Sequence, residues 1–533
     1  MKTLKYIIGA FVLAVGLSAC VGDLEVTPID PSMNTADKAL KTEADYFSLL
    51  TQCYAGFSHS GSYGPNGNNN ISGIDGGFSQ YFRGRYHLNG LTTDEAICGW
   101  NDQTLQDLHG LAWTTTDVFV AAFYYRIFYQ ISACNEFLRK VDAATIELPK
   151  KEQWKAEAKA LRAFCWLEAI DNYGNVPFAD ETAPVGAYVP EQIKRADLFT
   201  YLETELKALV ADDSALYDVA AGEYGRINKG AALMMLAKLY LNAEVYIGQA
   251  KYQDCADVLA KLDGAYSLHT TPNGTKFSAF QELFLADNHK CTEEIIWAIE
   301  QDGVNVQSYG VTNYLIFAST GGDMDTNEAG ISSGWGGLRT TPEFYQKFST
   351  SDARNLFYTK GHQAEIDEVG TFTHGYAFTK FRNVQSDGVI PNQTVTKDEK
   401  TGEEKRANPG FVNTDFPVFR YADALLMIAE CAKRGANADG LAAYNAVRKR
   451  AGLSEVTSYT LDNILQERAC ELYLEGWRRS DLVRFGKFTT ADKLWQWKGG
   501  VKNGRGVASH MNLFPIPNND INANSNLVQN PGY

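Results

Sequence analysis

Four amphipathic stripes limit what this chain can fold into. In WKAEAKALRAFCWLEAIDNYG, Ala160, Phe164 and Leu167 fall on one helical face, with Leu161 adjacent. NKGAALMMLAKLYLNAEVY gathers Ala232, Leu236, Leu239 and Ala243. DALLMIAECAKRG gathers Leu425, Ile428, Ala429 and Ala432, and NILQERACELYLEG gathers Leu465, Ala469 and Leu472. Each is an i, i+3/i+4, i+7 pattern, and such a stripe needs a partner helix to cover it.

Small Ala alternating with Leu and Tyr resembles tetratricopeptide helices, where small side chains let paired helices approach. The repeats are irregular and far apart, so the expected fold is mainly α, a tetratricopeptide-like scaffold with large loop-rich insertions and a few short strands. HSGSYGPNGNNNISGIDGG is too permissive for a helix. Residues 301–340 mix Gly, Asn, Ser and aromatics without a period, and SDGVIPNQTVTKDEKTGEEKRANPG reads as a solvated, mobile loop. Long loops on a packed scaffold commonly carry function. No internal linker stands out, so residues 41–533 are read as one unit.

The first twenty residues, MKTLKYIIGAFVLAVGLSAC, have Lys2 and Lys5, then an apolar core from Tyr6 to Leu17, then small residues. That core is shorter than the ~20 apolar residues of a spanning helix and fits a secretory signal over residues 1–19. Leu17-Ser18-Ala19-Cys20 resembles the lipobox of bacterial lipoproteins, in which the cysteine is acylated, for instance with palmitate, and becomes the new N-terminus. Several acyl chains anchor stably, so Cys20 reads as a mooring point on a membrane and residues 20–40 as a polar tether from it to the body. Losing Lys2 and Lys5 would deepen a net charge that is already −15. An acidic body without a basic run argues against nucleic acid as a partner. The eight remaining cysteines include no CxxC pair and no zinc-type spacing. Cys134, Cys165, Cys431 and Cys470 lie in helical segments and read as buried thiols, with a disulfide left open.

The C-terminal third carries a recognisable signature. ERACELYLEGWRRSDLVRFGKF followed by FPIPNNDINANSNLVQNPGY resembles the closing segment of SusD/RagB-family outer-membrane lipoproteins, as do RYADALLMIAE and EAKALRAFCWLEAIDNYGNVPF. The resemblance covers the mature chain. It implies four tetratricopeptide-like helix pairs, a glycan-capturing role without catalysis, and a SusC-like TonB-dependent transporter as partner. Glu467, Arg468, Glu471, Arg478, Arg479 and Arg484 of the signature are read as structural, pairing with one another and with helix carbonyls.

The insertions are similar to those of the starch-binding member of that family. YFRGRYHLNGLTTDEAICGWNDQ supplies Arg83, Trp100 and Gln103, while EQDGVNVQSYG and SSGWGG supply Tyr309 and Trp335. Asp75 falls where the starch binder also has an Asp near its ligand, and Gln103 stands where it has Asn, with Asn101 close by. The resemblance implies a curved aromatic platform along an α-glucan, with Arg and amide groups reaching hydroxyls. The physics agrees, since a pyranose has an apolar C–H face that stacks on rigid rings and forked donors suit vicinal hydroxyls. A tryptophan is ordinarily core, but Gly99, Asn101, Asp102, Gly334, Gly336 and Gly337 surround these two with loop residues.

Other motifs are weaker. GISSG at Gly330–Gly334 matches G-x-S-x-G, yet DTNEAG precedes it where a strand is required. DMDTN begins like a calcium loop but has Glu328 at position 6 and Gly334 at position 12. Asp287, Asn413 and Asp415 offer oxygens for a structural calcium elsewhere. No cofactor motif is found. Asp94 and Glu95 are adjacent and cannot alone flank a glycosidic bond. The expected function is non-catalytic surface binding of starch or maltooligosaccharide. The alternatives are another glycan or a peptide cargo, a protein-binding scaffold, and a glycoside hydrolase.

Overall fold

In the computed structural model, residues 40–533 are described apart from 63, 66–68, 187, 398–400, 403 and 408. The signal segment 1–19, Cys20 and tether residues 20–39 lie outside the described residues. No described helix is long and apolar enough to cross a membrane.

Each of the four stripes forms a helix, except that Ala243 of the second lies past the helix end, in the separate short helix Ala243–Ile247. The scaffold helices are α1 (Val118–Asp142), α2 (Lys151–Asn172), α3 (Arg195–Leu209), α4 (Lys229–Leu241), α5 (Tyr252–Leu259), α6 (Tyr421–Lys433), α7 (Gly440–Arg450) and α8 (Leu461–Leu472). Local chemistry fixes their ends. The Asp117 carboxylate accepts from the Phe119 and Val120 N–H groups at the start of α1, and Thr460 with Asn463 forms a capping box on α8. The helices pack in succession, α1 on α2, α2 on α3, α3 on α4, α4 on α5, α5 on α6, and α6 on both α7 and α8. This is the tetratricopeptide-like stacking that the small residues imply.

Burial is wider than the stripes. Every residue of α4 is buried, including Lys238, which pairs with Asp423. In α6 the inward face carries Ala424, Leu426, Met427 and Cys431, whereas the stripe residues Leu425, Ile428 and Ala432 are half-buried. Because α6 is held between α5 on one side and α7 and α8 on the other, its most buried face is not the one periodicity selects. A main core runs from Tyr46 to Leu527, and a smaller cluster under α6, α7 and α8 includes Leu426, Tyr444, Val447 and Ile464. All eight cysteines among the described residues are buried and unpaired.

Two insertions are more ordered than the sequence predicts. Residues 301–340 contain the helix Val311–Ser319, with all nine residues buried. A helix surrounded by protein has no solvent-facing side to be kept polar, so it leaves no amphipathic period. The segment read as a mobile loop contains strands Thr394–Lys397 and Glu404–Ala407, paired antiparallel with Lys397 opposite Glu404. A cross-strand pair of opposite charge favours such a hairpin.

The signature charges are buried, and most of their partners come from other segments. Arg468 pairs with Asp423 and Asp481, Arg478 with Asp94, Arg484 with Glu430 and Asp481, and Glu471 with Arg354, Arg420 and Arg450. Glu467 pairs with Arg354 and Arg448. Arg478 also donates to the Leu465 carbonyl, and Arg479 to that of Asn512. The structural reading stands, but these groups join distant segments more than they pair with one another.

A four-stranded antiparallel sheet positions the loops of interest. Its strands are β1 (Ile97–Cys98), β2 (Leu338–Thr340), β3 (Phe357–Tyr358) and β4 (Tyr376–Phe378), in the order β1-β2-β4-β3.

Candidate functional site

The sheet register brings Trp100 and Trp335 together. Cys98 of β1 lies opposite Leu338 of β2, and the pairing continues as Gly99 N–H donates to the Gly337 carbonyl at 2.9 Å. Trp100 therefore leaves one strand beside the point where Trp335 approaches the other. Their ring centroids are 6.2 Å apart with planes at 54°, and the Trp100 indole N–H donates to the Trp335 carbonyl at 3.3 Å. The loop is tied to the helix Val311–Ser319. The N–H groups of Trp335, Gly336 and Gly337 donate to the carbonyls of Phe317, Thr320 and Ala318, at 2.7, 2.9 and 2.8 Å. Carbonyls at a helix C-terminus lack partners within the helix, so the glycine-rich segment caps this end and is itself held.

Tyr309 extends the row. It precedes the N-terminus of the same helix, its ring 5.9 Å from Trp335 with planes at 60°. Ser308 holds this corner, donating to the Ser58 carbonyl and accepting from Gly310 N–H, both at 2.7 Å. Phe411 lies 5.4 Å beyond Tyr309. The row of rings is thus Trp100, Trp335, Tyr309 and Phe411, all half-buried. Phe317 backs Trp335 at 4.9 Å from the interior. Phe411 carries no sequence signal, since it follows a polar run far along the chain from the other rings.

The polar candidates divide. Arg83 is buried behind the rings, with its guanidinium 4.5 Å from the centroid of the Tyr314 ring. Its Nη1 donates to the carbonyls of Gly77 (2.9 Å) and Tyr309 (3.2 Å), while Nε has no partner. Burial lowers its pKa, opposed by Tyr314, Cys98, Asp75 and Asp102. Arg83 therefore couples the Asp75–Gly77 turn to Tyr309. Asp75 is exposed and accepts from Gly77 N–H at 2.7 Å. Gln103 is exposed two residues beyond Asn101, its side-chain amide donating to Asp107 at 2.9 Å. Contacts thus join Trp100, Trp335, Tyr309 and Arg83, and through Arg83 the turn that carries Asp75, whereas Gln103 is near Trp100 along the chain and engages Asp107.

Gly337 makes the Trp100 seat possible. A Cβ at this position would lie 2.5 Å from the indole nitrogen of Trp100 and 2.6 Å from Cε2. Gly337→Ala is expected to displace the Trp100 ring and weaken ligand binding at least tenfold, while far-UV circular dichroism stays unchanged. Titration calorimetry beside the spectrum checks this.

The other sequence candidates are occupied structurally. Asp94 is fully buried against Arg478 and Lys347, and Glu95 accepts from Tyr86 Oη and Leu474 N–H. Burial raises Glu95 to about 7, but it is sealed from solvent. Gly330–Gly334 follows the helical turn Thr326–Ala329 and not a strand, so it does not form a nucleophile elbow. The three calcium candidates each engage donors of their own. Asp287 accepts from Ser386 and Lys290, Asn413 from Gly303 and Asn392, and Asp415 from Gln301 N–H.

Comparison with known proteins now decides the family. The profile of the SusD family matches residues 355–533. The starch-binding protein SusD of Bacteroides thetaiotaomicron is 31% identical over 100% of this chain and 99% of its own. The chain belongs to the SusD family. A second relative, SusD-like protein P2 of Formosa agariphila, is 23% identical over 99% of this chain and 100% of its own. Among solved structures, surface glycan-binding protein A from Bacteroides thetaiotaomicron in complex with laminarihexaose superposes with a TM-score of 0.69. That match is 20% identical and covers 92% of this chain and 100% of the other. A SusD superfamily protein from Parabacteroides distasonis gives a TM-score of 0.70 at 20% identity, covering 93% and 100%. These two likenesses establish the SusD fold. Two of these proteins are named as binding proteins, for starch and for surface glycans, and as a SusD-family member this chain is non-catalytic.

Proposed function

We propose that this SusD-family protein binds starch and maltooligosaccharides at the cell surface and passes them to a SusC-like TonB-dependent transporter in the outer membrane. The observation that carries the reading is the row Trp100–Trp335–Tyr309, three half-buried rings whose neighbouring planes are inclined by 54° and 60°. A flat ribbon-like glycan would meet coplanar rings, whereas a coiled glucan, such as an α-1,4-linked chain, presents its apolar faces at changing angles and suits inclined rings. Tyr and Trp stack on such faces at small entropic cost because they are already rigid, and repeated weak contacts reinforce one another along a polymer. Full-length similarity to a starch-binding SusD supports the same cargo.

In this reading Asp75, Asn101 and Gln103 meet sugar hydroxyls at the rim, and Arg83 holds Tyr309 in place from behind. Cys20, in its lipobox-like setting, carries the acyl anchor, and residues 20–40 give the body its reach. Affinity electrophoresis is the test. Migration slowed by amylopectin but not by laminarin, dextran or xylan is expected. Retardation by laminarin alone would move the assignment to a β-glucan, and retardation by none would end the glucan reading.

A further inference from the structure

Residues 269–294 fold back on themselves and bring three unlike side chains to one point. His269 follows the turn Ala260–Leu262, Glu282 ends the single helical turn Ala279–Glu282, and Cys291 follows the turn Asn288–Lys290. An imidazole nitrogen, a carboxylate oxygen and the thiol sulfur all lie within 4.8 Å of one another. The three residues are 1%, 2% and 1% exposed. None belongs to the aromatic row, and their spacing along the chain matches no metal-binding pattern.

The surroundings are built around this point. His269 Nδ1 faces Glu293 Oε1, and Nε2 lies 2.9 Å from Glu282 Oε2. A neutral imidazole has one N–H and one lone pair. With an N–H directed to Glu293, Nε2 can offer its lone pair to a cation seated beside it and Glu282, in place of the direct contact between the two. A carboxylate on the far nitrogen of a metal-binding histidine fixes its tautomer and strengthens it as a ligand. Glu282 is oriented as well, accepting from the backbone N–H groups of Asn273 at 2.6 Å and Gly274 at 2.7 Å. Asn273 is exposed and Glu293 half-buried, giving the point a short path to solvent.

We infer that His269 Nε2, a Glu282 carboxylate oxygen and Cys291 Sγ form a binding site for a borderline-soft divalent cation of the zinc class, with Glu293 as the outer partner of the imidazole. Nitrogen, oxygen and sulfur ligands together suit zinc, and three protein ligands leave a fourth position for water. On binding, the Cys291 S–H bond breaks, its proton leaves to solvent and the sulfur lone pair forms the metal bond. The ion would pin the 270–278 segment to the start of the strand Ile295–Ile299.

The test uses the full chain freed of metal and titrated with Co2+. A thiolate-to-cobalt band in the near ultraviolet, saturating at one equivalent, is expected, and Zn2+ should displace it and raise the Tm. Cys291→Ser should abolish the band, and His269→Gln should weaken binding at least tenfold. X-ray absorption at the zinc edge, read on the unmodified protein, should show one sulfur at about 2.3 Å with nitrogen and oxygen at about 2.0–2.2 Å. No near-ultraviolet band, the same band in Cys291→Ser, or a zinc shell without sulfur would overturn the proposal.

Discussion

Arg420→Ala should destabilise the protein by about 3–5 kcal/mol, the range for removing one partner from a buried ion pair. Arg420 is fully buried and faces three carboxylates. It donates to Glu475 at 2.7 and 2.9 Å, to Glu294 at 2.7 Å and to Glu471 at 2.9 Å, and it also reaches the Glu471 carbonyl at 3.1 Å. Some charge compensation would remain, because Lys380 pairs with Glu475, and Arg450 with both Glu294 and Glu471. The remaining cations cannot reproduce the planar fork that satisfies all three groups at once. The result would appear as a Tm lowered by several degrees in calorimetry. Glu136→Ala is the control. Its ion pairs with Arg139 and Lys140 lie on the surface of α1, where such contacts contribute little, and its Tm should match that of the unmodified protein. Equal melting of all three proteins would show that the buried network does not hold the segments together.

Trp335→Ala should weaken maltooligosaccharide binding by thirtyfold or more, corresponding to about 2 kcal/mol. Trp335 is the middle of the row and touches Trp100, Tyr309 and the supporting Phe317. Its removal takes away a stacking face and also the surface against which its neighbours rest. Trp100→Ala should have a smaller effect, since that ring ends the row and contacts Trp335 and the buried Tyr314. Both variants should keep their helical circular dichroism, because the scaffold helices do not depend on either ring. Unchanged affinity in Trp335→Ala would remove the row from the binding surface.

The helices were legible where one face is polar, and less so where protein closes in on every side. α8 buries Leu465, Ala469 and Leu472 as its stripe predicts, whereas the helix Val311–Ser319 is buried all round and left no period. The two tryptophans were legible because glycines and short polar residues beside a large ring are unusual in a helix face. Their convergence depends on the pairing of β1 with β2, between residues more than 200 positions apart, which no local pattern encodes. Phe411 and the His269–Glu282–Cys291 cluster were missed for the same reason. Arg83 was legible as a candidate, but its burial and its hold on the Tyr309 carbonyl depend on the loop packed above it. The signature charges read as structural from helical spacing alone, and tertiary contact supplied most of their partners.

A crystal structure with a soaked maltoheptaose tests the binding surface most directly. The account predicts sugar density along Trp100, Trp335 and Tyr309, with apolar ring faces against the aromatics and hydroxyls near Asp75, Asn101 or Gln103. Density confined to another part of the molecule, with these rings left bare, would contradict it.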